Sequence, residues 1–179
     1  MILLRHGESE FNRHFSVTKR DPGIRDPALT EHGRAQAEAA AAALAGRGIG
    51  RIVVSPYTRA LETAVPLAAT LCVPVTVQTL VRERFAFTCD IGSPRSLLEQ
   101  SWPGHDFSAL PEVWWPAETE SEAAVNDRAA RFRAEVGAAP DGEECLVITH
   151  WGFILALTGQ RVPNGEWLRY DPAEIAAKP

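Results

Sequence analysis

Two short apolar runs at opposite ends of the chain each finish in a histidine, and this arrangement constrains the fold more than any other feature. Near the N-terminus, Ile2, Leu3 and Leu4 lead straight into Arg5, His6, Gly7 and Glu8; far downstream, Cys145 to Thr149 leads into His150. A short apolar run that ends abruptly in charge and glycine reads as a buried strand delivering chemistry to a turn. In open α/β sheets ligands sit beyond the carboxyl ends of the strands, so both imidazoles are expected to face a crevice rather than the core.

Between these runs the pattern alternates. Residues 10–30 are polar and punctuated by Asp21-Pro22-Gly23 and Asp26-Pro27, which reads as a long loop. Thr30 is a candidate N-cap for a helix running to Leu44, with Ala37, Ala40, Ala41 and Leu44 on one thin apolar face. Arg51–Ser55 is a β-branched strand stopped by Pro56. A helix carrying Arg59, Glu62 and Thr63 should follow, with Pro66 predicting a kink or an early break. Val73–Val77 reads as a third strand whose Pro74 suits a sheet edge. A helix is expected over residues 118–137, where Ala123, Val125, Ala129, Phe132 and Val136 interleave with charges, and a short one from Phe153 to Leu157.

Strands alternating with helices predict an α/β fold, a three-layer α/β/α sandwich around a mainly parallel central sheet. At 179 residues with 45% hydrophobic content, the chain is read as a single domain spanning residues 1–179. Residues 84–117 break the alternation. Their turn and aromatic residues, including Trp102, Trp114 and Trp115, mark a helical and loop insertion covering the site, with the tryptophans read as its packing.

A formal net charge of −5 argues against a nucleic-acid surface or an anionic membrane as partner. No apolar run approaches the roughly 18 residues of a membrane span. Cys72, Cys89 and Cys145 are odd in number and widely spaced, so neither a disulfide framework nor a zinc site is suggested, and a reducing cytoplasm is the expected setting. The sequence is silent on oligomeric state.

If the sheet is parallel, its strand ends bring together Arg5 with His6, Arg59 just beyond Ser55-Pro56, Glu83 after the third strand, and His150. Two planar guanidinium forks suit the oxygens of a tetrahedral anion, which makes the site a phosphate receptor. Two histidines flanked by arginines lack the carboxylate or thiolate complement of a zinc or iron site, so no metal and no other cofactor is expected. Plainer readings compete. Arg59 could be a surface arginine paired with Glu62 or Glu8, Glu83 a member of a solvated Arg82-Glu83-Arg84 cluster, and His150 a satisfied strand-end histidine.

The run Arg5-His6-Gly7-Glu8-Ser9-Glu10-Phe11-Asn12 resembles the signature of the histidine phosphatase superfamily, which includes the cofactor-dependent phosphoglycerate mutases. Further resemblances follow in the family's order: Leu29 to Gln36, Ser55 to Ala64, Glu83-Arg84, and Thr149-His150-Trp151-Gly152. Trp151 departs from the pattern, since the family usually places a small residue there. The resemblance implies a metal-independent phosphatase acting on a small phosphomonoester, with His6 as nucleophile forming a phosphohistidine. It implies Arg5, Arg59 and His150 as the clamp on the phosphoryl oxygens, Glu83 as proton donor to the leaving group, and Asn12 as a further ligand. Arg84 and Trp151 are candidate substrate contacts, as are Asp90, Ser93 and Arg95. Glu8 is expected to brace the pocket arginines. Alternatives are phosphoglycerate mutase-type transfer, which the scarcity of basic residues in the insertion disfavours, or a phosphate-binding module without turnover.

Overall fold

The computed structural model describes residues 1–137 and 144–172, the side chains of 136 and 137 excepted. The predicted packing of Val136, and residues 138–143 and 173–179 of the expected domain, lie outside the described residues. Among the described residues five strands form one sheet in the order β3-β2-β4-β1-β5, where β1 is Ile2–Arg5, β2 Ile49–Val54, β3 Val75–Val77, β4 Glu144–Thr149 and β5 Trp167–Arg169. The first four run parallel; β5 pairs antiparallel with β1. The helices are α1 Glu10–Thr18, α2 Glu31–Leu44, α3 Thr58–Leu71, α4 Arg95–Ser101, α5 Glu122–Gly137 and α6 Trp151–Thr158.

Strand alternation divides the core into two layers. Ile2, Leu4, Ile52, Val54, Leu146 and Ile148 face α2, α3 and the insertion, whereas Leu3, Val53 and Val147 face Ala129 and Phe132 of α5 and Phe153, Ile154 and Leu157 of α6. This is the expected three-layer sandwich. The third strand lies at a sheet edge, as predicted, although it begins at Val75 and leaves Pro74 just outside it, and Thr30 caps α2 by accepting from Gly33 N at 3.0 Å.

Three elements differ from expectation. Residues 10–18 form helix α1 rather than loop, because Ser9 and Asn12 close a capping box and Phe11, Phe15 and Phe87 stack together. Pro66 does not end α3, which continues to Leu71. The short antiparallel β5 had no sequence signal of its own. Among the described residues no helix is long and apolar enough to cross a membrane.

Within the insertion, Leu98, Phe107, Leu110 and Trp114 are buried in the first core layer and Trp102 and Trp115 pack against it, so these tryptophans are packing residues. Trp114 meets the Tyr57 ring edge-on and donates to Ser93 O at 2.8 Å.

Candidate active site

Adjacent parallel strands set the two histidines side by side. Arg5 of β1 stands opposite Thr149 of β4, and His6 N donates to Thr149 O at 3.0 Å, so the residues that follow leave the sheet together. The His6 and His150 ring centroids are 5.0 Å apart. Both residues are buried. The segment before β5 braces this turn, which sequence reading missed: Gly165 N donates to Arg5 O and His6 O, and Asn164 Nδ2 donates to His6 O at 3.1 Å.

His6 Nδ1 lies 2.7 Å from Gly7 O. A carbonyl can only accept, so Nδ1 carries the proton and Nε2 keeps its lone pair. Burial, reinforced by Arg59 and Arg5, holds the His6 imidazole well below its ordinary pKa, so it stays neutral. The turn is also fixed from the other side. Gly7 N donates to Thr63 Oγ1, and a Cβ on Gly7 would come within 2.3 Å of Gly33 O at the start of α2.

His150 Nε2 lies 2.8 Å from Ser55 Oγ at the end of β2. Among the described residues the Ser55 hydroxyl has no other acceptor, so it donates to Nε2 and leaves the proton of a neutral His150 on Nδ1. That nitrogen is enclosed and has no hydrogen-bond partner among the described residues. Burial lowers the His150 pKa well below the ordinary value, with Arg59, His6 and Arg5 adding to the effect. A neutral imidazole with one fixed N–H is a donor for an anion's oxygen.

Arg59 is buried, not on the surface, and pairs with neither Glu62 nor Glu8. Its Nη1 donates to Cys89 O at 2.8 Å and its Nη2 to Asp90 Oδ1 at 3.1 Å, with the guanidinium 4.3 Å above the Tyr57 ring. The insertion therefore closes one side of the site. Arg5 donates Nη1 to Val162 O, while its enclosed Nε has no hydrogen-bond partner among the described residues. Burial lowers the Arg5 pKa to about 10, opposed by Glu83 and assisted by Arg59. Two desolvated guanidiniums that act on each other electrostatically favour an anion beside them.

Glu83 is likewise no solvated cluster member. Its Oε1 accepts from Arg84 N at 2.8 Å and its Oε2 from Gly152 N at 3.2 Å, in the first turn of α6. Burial raises the Glu83 pKa above its ordinary value; Asp90 adds to this, and the two backbone donors and Arg59 oppose it. Gly152 is required for the approach, since a Cβ there would stand 2.5 Å from Glu83 Oε1.

The remaining candidates make other contacts. Asn12 Oδ1 is taken up by Ser9 N, Ser9 Oγ and Asn164 Nδ2, which leaves its own Nδ2 for a ligand. Arg84 donates Nε to Glu120 O and lies 3.6 Å from Glu122, and Trp151 is 39% exposed; neither bonds to either histidine. Three suggested substrate contacts are structural instead: Asp90 holds Arg59, Ser93 binds Asp26, and Arg95 lies beside Glu99 and Glu112. Glu8 does not brace the arginines, because its carboxylate accepts from Thr30 Oγ1 and so ties the turn to the α2 cap. Among the described residues no group of three or more His, Cys, Asp or Glu side chains could hold a metal ion.

A family model described as the histidine phosphatase superfamily, branch 1, matches residues 1–175. The chain belongs to that family. A glucosyl-3-phosphoglycerate phosphatase of Mycolicibacterium vanbaalenii is 33% identical over 166 residues, covering 88% of this chain and 72% of that protein. The enzyme of the same name from Mycobacterium tuberculosis is 30% identical over 178 residues, covering 93% and 78%. A solved mycobacterial glucosyl-3-phosphoglycerate phosphatase in complex with VO3 superposes with a TM-score of 0.64 at 28% identity, covering 93% of this chain and 88% of that one. As a member of the histidine phosphatase superfamily, the chain shares its fold with that solved structure.

Proposed function

We propose that this chain is a metal-independent phosphatase of the histidine acid type that hydrolyses a small phosphomonoester through a phosphohistidine on His6. The observation that carries this reading is the 2.7 Å bond from His6 Nδ1 to Gly7 O, which leaves Nε2 as a nucleophile beside two arginines. In the first step Nε2 forms a bond to phosphorus as the ester P–O bond breaks, and the departing oxygen takes the proton of Glu83. In the second step water attacks phosphorus, gives a proton to Glu83, and the P–N bond breaks to release phosphate. Arg5, Arg59 and His150 Nδ1–H hold the phosphoryl oxygens throughout. Asn12 Nδ2 is a further ligand, and Arg84 and Trp151 contact the alcohol portion. The reaction as written uses only the chain's residues and water.

The names of the relatives make glucosyl-3-phosphoglycerate the first compound to test. Among the described residues no disulfide joins two of the three cysteines, which suits a cytoplasmic setting. We read residues 1–179 as one domain with its insertion at about 84–117.

The test is a product analysis on a library of phosphomonoesters. One equivalent of inorganic phosphate should appear per equivalent of free alcohol, and His6→Ala should abolish both. Transfer of phosphoryl between positions of a phosphoglycerate without net phosphate release would contradict the reading.

A further inference from the structure

Behind Glu83 lies an ion pair that plays no part in the chemistry above. Arg128 of α5 grips Glu120 with both ends of its guanidinium, Nε to Oε1 at 3.1 Å and Nη2 to Oε2 at 2.8 Å, and both side chains are buried. The remaining donors of Arg128 go to backbone carbonyls of one segment: Nη1 to Leu80 O at 2.9 Å and Arg82 O at 2.7 Å, and Nη2 to Glu83 O at 3.3 Å. Glu120 accepts in turn from Arg82 Nη2 at 2.8 Å and Phe85 N at 3.4 Å, and its main chain bonds Phe85 O and Arg84 Nε.

The pair thus holds the stretch that carries Glu83. Apart from the single turn Thr79–Val81, residues 79–87 have no helix or strand ladder to fix them. The Arg128 guanidinium also lies 5.2 Å over the Phe153 ring of α6, the helix whose first turn holds the Glu83 carboxyl. Burying an ion pair is a poor route to stability, because desolvating two charges offsets most of their attraction. Its geometric value is greater: a planar fork fixes carbonyls and a carboxylate at once, which a lysine ammonium cannot do.

We propose that Arg128, locked by Glu120, is the positioning residue that aims the Glu83 carboxyl at the leaving-group oxygen. This rests on the reading of Glu83 as proton donor. In the step that forms the phosphohistidine, a misplaced donor harms esters whose leaving group needs a proton and spares those whose leaving group departs as a stable anion.

The experiment compares glycerol 2-phosphate with p-nitrophenyl phosphate for the wild type, Glu83→Gln, Arg128→Lys and Glu120→Gln, with the inhibition constant of inorganic phosphate measured for each. Glu83→Gln should lose roughly 100-fold more kcat/KM on the alkyl ester than on the aryl ester, because kcat/KM reports the phosphorylation step and not the hydrolysis that both esters share. Arg128→Lys should show the same selective loss with phosphate inhibition within roughly twofold of wild type, because the clamp is untouched. The double variant Glu83→Gln/Arg128→Lys should lose little more than Glu83→Gln alone. Should Arg128→Lys fail to fold, Glu120→Gln, which keeps the shape of the pair, must give the same pattern. If Glu83→Gln is selective and the Arg128 and Glu120 variants lose both esters equally, the pair is only structural and the proposal falls. If Glu83→Gln itself shows no selectivity, the assignment of Glu83 is at fault and the proposal falls with it.

Discussion

Asp90 holds Arg59 from 3.1 Å, and both side chains are almost completely buried, so the proposed clamp arginine is supported by the insertion rather than by its own helix. Removing the negative partner leaves a guanidinium buried without compensation, which costs about 3–5 kcal/mol. Asp90→Asn should therefore lower the thermal midpoint, and added inorganic phosphate should recover more stability than it adds to the wild type, because the dianion then supplies the missing charge. Thermal unfolding with and without phosphate measures this. An unchanged midpoint would show that the pair does not carry Arg59.

Ser55 sets which nitrogen of His150 carries the proton, through the 2.8 Å contact to Nε2. Ser55→Ala frees the imidazole to take either tautomer and leaves a buried nitrogen without a partner. A lost hydrogen bond of about 1–3 kcal/mol corresponds to roughly a 5- to 150-fold fall in kcat/KM. Ser55→Thr keeps the hydroxyl and should restore most of it. Nitrogen chemical shifts of His150 report the tautomer directly.

The groups at the strand ends were legible because a buried strand leaves a run of apolar residues and its end exposes an abrupt change of chemistry, as at Leu4-Arg5-His6 and Thr149-His150. The partners that hold those groups were not. Asp90 lies 31 residues from Arg59, and Arg128 is 45 from Glu83, so nothing local in the sequence marks either contact. Helix α1 was hidden for a related reason: its apolar side, Phe11 and Phe15, packs against Phe87 from the insertion. The Ser9 to Asn12 capping box was the one local sign of it. Glu8 was misjudged because its nearness to Arg5 in sequence says nothing of its direction, which is toward Thr30.

Two glycines should respond differently to the same substitution. In Gly152→Ala the new methyl meets Glu83 Oε1 at 2.5 Å, the mobile end of a side chain, so the protein should fold while the carboxyl is displaced. Turnover of alkyl esters should drop by about 10²-fold or more, the share general acid catalysis usually supplies. In Gly33→Ala the methyl meets Glu8 O at 2.0 Å, a backbone atom that cannot step aside. Overpacking there should cost about 1–3 kcal/mol and lower the denaturation midpoint. Equal stability losses in the two variants would contradict this contrast.

Stability should fall as the solution becomes mildly acidic. His6 and His150 are both held well below the ordinary imidazole value of 6.5, so below that pH the unfolded chain binds protons that the folded chain refuses. Stability therefore rises with pH up to about 6.5, and each histidine removes about 1.4 kcal/mol per unit below it until its folded pKa is reached. Glu83 acts in the opposite sense. Its raised pKa contributes stability that is present below 4.5 and lost as pH rises through the folded value. Urea titrations between pH 7.5 and 5 should show the acid loss, and His6→Asn or His150→Asn should reduce its slope by about one proton each. A slope unchanged in both variants would mean that the imidazoles are charged in the folded state.

The most direct measurement is the site of phosphorylation during turnover. Rapid mixing with a labelled phosphomonoester followed by an alkaline quench should trap label on His6 at Nε2, stable to base and lost in acid, and His6→Ala should carry none. Turnover without labelled protein, or label that persists in His6→Ala, would contradict a mechanism in which the lone pair left free by the Gly7 bond attacks phosphorus.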